Sequence, residues 1–413
     1  MECIIKVLYM PEIIMSRFTD WQKNSINVQQ KKDQSEVGRI MQNNTVGIIT
    51  FHCSDNYGAI LQAYGLKMYL CGQGMLADIV PYEPFFMVGR NWLLPCTFAG
   101  DLYRSLRYSC WGICSHIKMG RDFFHQKSKM KCFREKYLVE KKRKKMRWSS
   151  QMRRLCYQYY IVGSDQIWNP DITFGLRKVY FGGFKNRYKK KVVAYAASIG
   201  GSTLLSKYGK QFSQMMNYID VVSVREKDAV PYVEKYCDKK VSVMLDPVFL
   251  LGEEFWREVE VLPEKTHYIL VYPTEVNQEM IHYVKMLSEK TGLQVIELRS
   301  NYRGNPEKFI VDYTAGPSEF LGYIHNADYV ISNSFHAVAF SIIFEKHFAA
   351  FLHSNRGTRV KNILEVCDLT DRLYQEDTVM DIGREIIWKE VKENLRREVK
   401  CAQDFLREHL SKG

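Results

Sequence analysis

Along this chain, short and wholly apolar runs recur, each followed by a polar turn. VGIITF (46–51) is apolar and β-branched, which predicts a buried strand, and HCSDNYG (52–58) supplies its turn. In AILQAYGLKMYL (59–70), Ile60, Leu61, Tyr64, Met68 and Leu70 fall at helical spacing. Gly72 and Gly74 provide a stop, and LADIVPY (76–82) reads as the next strand. Strand, turn, helix and strand in this order form a βαβ unit, the building block of a parallel sheet.

Aromatic and basic helical sequence interrupts the pattern at about 84–155, which is read as an insertion. It resumes in YYIVGSD (159–165), VVAYAAS (192–198), VVSVRE (221–226) and VSVMLD (241–246). After Pro247 the rhythm restarts with YILVYP (268–273), a helix near Asn277 to Lys290 ended by Gly292, and LQVIEL (293–298). DYVISNS (328–334) and HFAAFL (347–352) flank the helical AVAFSIIFEK (337–346). The prediction is an α/β chain of two doubly wound parallel-sheet domains facing a cleft, at 44–247 and 248–375, with a hinge within 247–266. Residues 376–413 hold an amphipathic helix over 384–410 that would cross back to the first domain. Residues 1–43 lack periodicity and predict a disordered tail. Met41 would serve as a start, so 1–40 are expected to be an upstream artefact of gene calling.

Composition narrows the functional classes. Of 413 residues, 46% are apolar and 25% charged, as in folded globular proteins. No stretch approaches the ~18 consecutive apolar residues of a membrane-spanning helix. Glu2, Lys6 and Pro11 break the N-terminal apolar run, so a secretory leader is not expected and the working compartment reads as cytoplasmic. The 11 cysteines contain no CxxC pair, which argues for reduced thiols. Cys110, Cys114 and His116 cluster but lack a fourth ligand, so no metal site is expected there. The net charge of +13 is local: residues 118–154 carry fifteen Lys/Arg against Asp122, Glu135 and Glu140. Such a stripe is either a solvated helix face or a contact with an anionic partner. Membrane-surface contact is the favoured functional reading, and no nucleic-acid module accompanies the stripe.

Ligands of open parallel sheets bind beyond the carboxyl ends of the strands, which nominates residues by position. Asp55, Asn56 and Gly58 offer a carboxylate, an amide and flexible backbone in one turn, and Asp55 or Asn56 equally suits a helix cap. Ser164 and Asp165 lie in GSDQIWNP (163–170), where Asp165 could accept a hydroxyl proton or cap. Arg225 ends an apolar strand, where it needs an anion, which Glu226 or Asp228 could itself supply. His336 opens a helix with Ser332, Asn333 and Ser334 before it. None of these turns matches a dinucleotide or P-loop fingerprint.

Several blocks resemble the polysaccharide pyruvyl transferase family: NNTVGIITFHCSDNYGAILQAYGLKMYL, YYIVGSDQIWNP, VVAYAASIG, SVREKDAV, LDPVF and YIHNADYVISNSFHAVAFSIIFEKHF, in that order over roughly 44–360. The resemblance implies two Rossmann-like domains similar to the GT-B glycosyltransferase architecture. It also implies transfer of pyruvate from phosphoenolpyruvate onto two hydroxyls of a sugar as a cyclic ketal, without metal or other cofactor. The acceptor would be a cell-surface or exopolysaccharide, or its lipid-linked precursor. Arg225 and His336 match the family's SVRE and small-x-H-A motifs.

On this reading His336 is general acid or phosphate ligand, Arg225 clamps the anion, and Asp55 or Asp165 orients or deprotonates the acceptor. Asn56, Gly58, Ser164, Asn333 and Ser334 would help to bind the donor. Many members carry an arginine two residues before the motif histidine, where this chain has Ser334. Lys227 or Arg359 must then substitute, or donor affinity is lower, or the donor differs. A nucleotide-sugar glycosyltransferase and a non-catalytic glycan-assembly protein are the competing readings.

Overall fold

The computed structural model describes residues 45–88, 102–186, 189, 191–200, 203–354, 357–376 and 380–410. The tail expected at 1–43 lies outside them. β1 (Thr45–Ile49) is buried from its second residue onward, as its β-branched run requires. α1 (Tyr57–Gly72) follows, with Asn56 as its cap: the Asn56 Oδ1 accepts the Ala59 N–H at 3.0 Å. α1 is buried almost all round. At Gly65 an added Cβ would come within 3.0 Å of the Pro247 carbonyl, so the helix packs against chain leaving the first sheet.

β2 (Leu76–Ile79), β3 (Tyr159–Gly163), β4 (Lys191–Ala197), β5 (Val221–Val224) and β6 (Val241–Val243) complete a parallel sheet in the order β2-β1-β3-β4-β5-β6. The second sheet, also parallel, comprises β7 (Tyr268–Tyr272), β8 (Gln294–Leu298), β9 (Ile310–Asp312), β10 (Tyr329–Ser332) and β11 (His347–Ala350). Its order is β11-β10-β7-β8-β9. The expected class, two parallel-sheet α/β domains, is the one observed. In each sheet the winding reverses once, between β1 and β3 in the first and between β7 and β10 in the second.

The two lobes share one apolar core. Tyr57 stacks on Phe320 of the second lobe, with ring centroids 4.8 Å apart, and donates its hydroxyl to the Ala315 carbonyl at 3.0 Å. The insertion adds α2 (Leu102–Met119) and α3 (Arg121–Phe133), which brace both lobes. Lys127 and Arg134 pair with Asp55 of the first lobe, while Lys129 pairs with Glu319 of the second at 2.8 Å. Gln126 donates to the Arg299 carbonyl at 3.3 Å. Part of the basic stripe is therefore paired with acids of the fold, while most of its Lys and Arg side chains stay exposed. Arg143 faces Asp78 at 3.2 Å and Lys145 faces Glu83 at 3.0 Å.

Helices α4 (Thr203–Met216), α5 (Gln278–Thr291), α6 (Pro317–Asn326), α7 (Phe335–Ile343), α8 (Thr358–Cys367) and α9 (Trp388–Leu410) complete the longer elements. α9 returns to the first lobe, where Phe405 lies 6.2 Å from the Tyr195 ring of β4. No helix of the described residues is long and apolar enough to cross a membrane.

Candidate active site

The two winding reversals face each other across a cavity of about 270 Å³. Both lobes line it through turns that follow the reversal strands. Ser54 and Asn56 follow β1, and Asp165 and Gln166 follow β3. Thr274 follows β7, and Asn333 and Ser334 follow β10. Crevices at such reversals are where open α/β sheets bind ligands, because diverging turns leave space there. A second cavity of about 370 Å³, near His267, Asp328 and Lys346, lies at the amino ends of the second sheet's strands, away from this chemistry.

His336, in the first turn of α7, lines the cavity against Gly58. Its Nε2 lies 3.7 Å from the Asp246 Oδ2, an ion-pair separation rather than a hydrogen bond. Asp246 is fully buried and holds four groups together. Arg225 Nη1 and Ser164 Oγ (3.2 Å) donate to its Oδ2, the Val248 N–H donates to its Oδ1 at 3.2 Å, and His336 faces it. Burial pushes the Asp246 carboxyl up, but His336 and Arg225 outweigh it and hold it well below the usual carboxylate range.

Beside it, Glu226 accepts from Ser198 Oγ at 2.5 Å and lies 3.6 Å from the Arg225 Nε. Burial wins at Glu226 over Arg225 and Arg359, so its carboxyl titrates above the ordinary value. Arg225 Nε and Nη2, Glu226 Oε2 and His336 Nε2 are buried without a hydrogen-bond partner among the described residues. Buried polar groups are ordinarily paired, so each of these calls for a partner that the side chains around it do not supply.

The structure separates the residues nominated from sequence. His336, Asp165, Asn56, Gly58, Asn333 and Ser334 all line the cavity. Asp55 does not: its carboxylate turns to Lys127 and Arg134 of the insertion. Burial would raise its pKa, but those two cations lower it below the ordinary value. A carboxylate so neutralised is a poor base, and the assignment of Asp55 to the acceptor is withdrawn. Arg225 and Ser164 lie beneath the cavity on Asp246, so they support the site rather than line it.

Asn56 spends its Oδ1 on the cap of α1, and Asn333 ties loops together, accepting from the Thr274 N–H at 2.7 Å and donating to the Glu275 carbonyl at 2.8 Å. Ser334 precedes α7 without a side-chain cap bond. Of the two substitute cations, Arg359 lines the cavity and Lys227 is exposed elsewhere. Two guanidinium groups stack on the Phe335 ring, Arg225 at 5.0 Å and Arg359 at 5.8 Å.

Sequence reasoning missed two groups. Asp246 ends the VSVMLD run at the carboxyl side of β6, a position that deserved nomination by the same rule as the others. His353 also lines the cavity, with its Nδ1 3.5 Å from Glu275 Oε2, and Glu275 accepts from the Ser354 N–H (2.8 Å) and hydroxyl (2.7 Å). Asp246 stands in the LDPVF block and the His353 loop carries no motif, and only the fold joins them. Cys110 and Cys114 are exposed, His116 packs on Phe123 with centroids 4.0 Å apart, and no metal-binding cluster occurs among the described residues.

These features define a two-lobed α/β protein with a polar inter-lobe cavity, lined by Arg359 and Asp165 and centred on an imidazole that faces a buried carboxylate. The chain belongs to the polysaccharide pyruvyl transferase family, whose model matches residues 56–355, and so to a family of transferases. A search among curated proteins gave no significant match. Solved structures of similar shape include UDP-N-acetylglucosamine 2-epimerase from Rickettsia bellii, with 11% identity over 88% of this chain and 97% of that one, at a TM-score of 0.35. Glycosyltransferase SnogD from Streptomyces nogalater has 10% identity over 88% and 98%, at 0.35. E. coli heptosyltransferase WaaC has 12% identity over 78% and 99%, at 0.32. Likeness at these scores is too loose to bear on activity.

Proposed function

We propose that the protein moves pyruvate from phosphoenolpyruvate to two hydroxyls of a sugar, in a cell-surface or exopolysaccharide or its lipid-linked precursor, on the cytoplasmic side of the membrane. The observation that carries this reading is the His336–Asp246 pair, set across the lobes at a cavity that also presents Arg359 and His353. Phosphoenolpyruvate bears roughly −2.5 to −3 charges, counting a phosphate monoester and one carboxylate. Arg359 and the open N-terminus of α7 suit that charge.

The reaction balances without an external acid or base, and the route assigned here uses no metal. The donor's methylene carbon takes a proton from His336, and the first acceptor oxygen adds to the adjacent carbon, giving its proton to His353. Phosphate leaves with the C–O bonding pair and collects that proton. The second hydroxyl then closes the ketal and returns its proton to His336. Asp165 orients the acceptor hydroxyls. Incubation with phosphoenolpyruvate and a panel of acceptor glycans tests this: phosphate release that depends on acceptor is expected. Release of a nucleoside diphosphate from nucleotide sugars instead would falsify it.

A further inference from the structure

The insertion turns one helical face outward that pyruvyl transfer does not use. On α2 and α3, Leu106, Trp111, Ile117 and Phe124 are 57%, 53%, 73% and 57% exposed. Exposed Arg107, Lys118 and Arg121 stand among them, and Asp122 is the sole acid in the sequence between Leu102 and Phe133. At about 100° per residue, Arg107, Trp111 and Lys118 fall along one line of α2 and Leu106 and Ile117 along another roughly 110° away, so the outward arc is wide. The other side is docked: the buried Ser115 hydroxyl accepts the Tyr302 N–H of the second lobe at 2.8 Å.

Charge and shape discriminate between occupants. A second copy packed on this face by two-fold symmetry would set cations against cations. A nucleic acid would engage the cations but leave aliphatic Leu106 and Ile117 in water. An anionic lipid surface uses both, with apolar side chains at the acyl boundary and Arg/Lys among the phosphates. We infer that the α2–α3 face lies in the interfacial layer of an anionic bilayer. On the reading of function above, on which this point rests, the placement also serves catalysis. α3 reaches Asp55 through Lys127, next to Asn56 on the cavity wall, so docking brings the cavity to acceptors carried on lipid.

Co-sedimentation of the full chain with vesicles tests the inference. The protein should pellet with phosphatidylcholine vesicles containing phosphatidylglycerol and stay in solution with phosphatidylcholine alone. Trp111→Ser with Phe124→Ser, and separately Arg107→Glu with Arg121→Glu, should each cut the bound fraction about tenfold or more. Both pairs should keep the wild-type melting temperature and the wild-type rate on a soluble acceptor. Equal binding to both vesicles, or unchanged binding by both variants, overturns the inference. So does a concentration-dependent dimer abolished by the same substitutions. Vesicle binding without pyruvyl transfer would sink the functional reading and leave this surface standing.

Discussion

Gly58 lies directly beneath the imidazole of His336: a Cβ at that position would collide with the ring. The glycine is needed for space rather than for backbone conformation, since it lies in ordinary helix at the start of α1. The start of one lobe's first helix thus meets the start of α7 from the other, and the distance between the lobes is set by one missing methyl group. Gly58→Ala should push the ring off Asp246 and lower kcat about 100-fold, with a smaller change in donor KM. Alanine favours helix by ~1 kcal/mol, which offsets part of the roughly 1–3 kcal/mol cost of overpacking, so the melting temperature should fall modestly. Steady-state kinetics beside a thermal melt would check the split, and wild-type kcat would show that the ring does not need its present position.

Asp246→Asn keeps the size of the side chain and removes its charge. His336 loses its orienting partner, and Arg225 is left buried without its main counter-ion. Turnover should drop by about 100-fold or more, and stability by ~3–5 kcal/mol, the cost of a broken buried pair. Arg225→Ala should likewise act chiefly on stability, because the guanidinium supports the site from beneath. Urea unfolding of both variants, run with kinetics, distinguishes this from a direct role in donor binding: a pure KM effect in Arg225→Ala, with unchanged unfolding, would contradict it.

Arg359 tests which cation meets the donor. Arg359→Ala should raise the phosphoenolpyruvate KM at least tenfold with little effect on folding, and Arg359→Lys should recover only part of the loss, since lysine lacks the planar fork. Lys227→Ala should leave both constants unchanged. Initial rates across a donor concentration series would settle the comparison, and a large Lys227 effect would reverse it.

Glu226 should make stability depend on pH in a definite direction. Its folded-state pKa is raised, so the stability it contributes is full below the unfolded value and is lost as pH rises through the folded one. Glu226→Gln keeps the hydrogen-bond acceptor for Ser198 and removes the buried charge. The variant should melt higher than wild type at pH 7, by an amount worth on the order of 1 kcal/mol, and the gain should shrink towards zero as pH falls to 4. A gain that grows on acidification would refute the assignment.

His52 sets an acid limit. Burial lowers its pKa from 6.5 to about 4, so the stability that neutral His52 contributes is full above pH 6.5 and is lost as pH falls towards 4. A melting temperature that is flat across that window in the Glu226→Gln background, where the opposing titration is removed, would exclude the effect.

The positions of the chemistry were legible wherever a turn follows a strand of the sheet, because that rule needs only local pattern. It placed Asn56, Asp165, Asn333 and His336 at the cavity. It failed for Asp55, whose partners Lys127 and Arg134 lie 72 and 79 residues downstream in an insertion with no strand pattern. Asp246 was visible as an acid at a strand's end, but its role depends on His336, which arrives from the other lobe. His353 was hidden for the same reason, and Arg359 was nominated only as an alternative to Lys227: their neighbours are neighbours only after the second sheet has formed. The basic stripe was legible as an outward surface for most of its length, and what the sequence hid was that Lys127 and Arg134 leave it to pair with Asp55.

The aromatic seam of Tyr57, Tyr272 and Phe320, with α3 laced across it, binds the halves into a single body. Neither lobe is therefore a transplantable module. Cut between 247 and 266, each would carry an apolar scar and half of a reaction chamber. New specificities can enter such a chain through its rim loops and its insertion, which can change length and chemistry without reopening the seam.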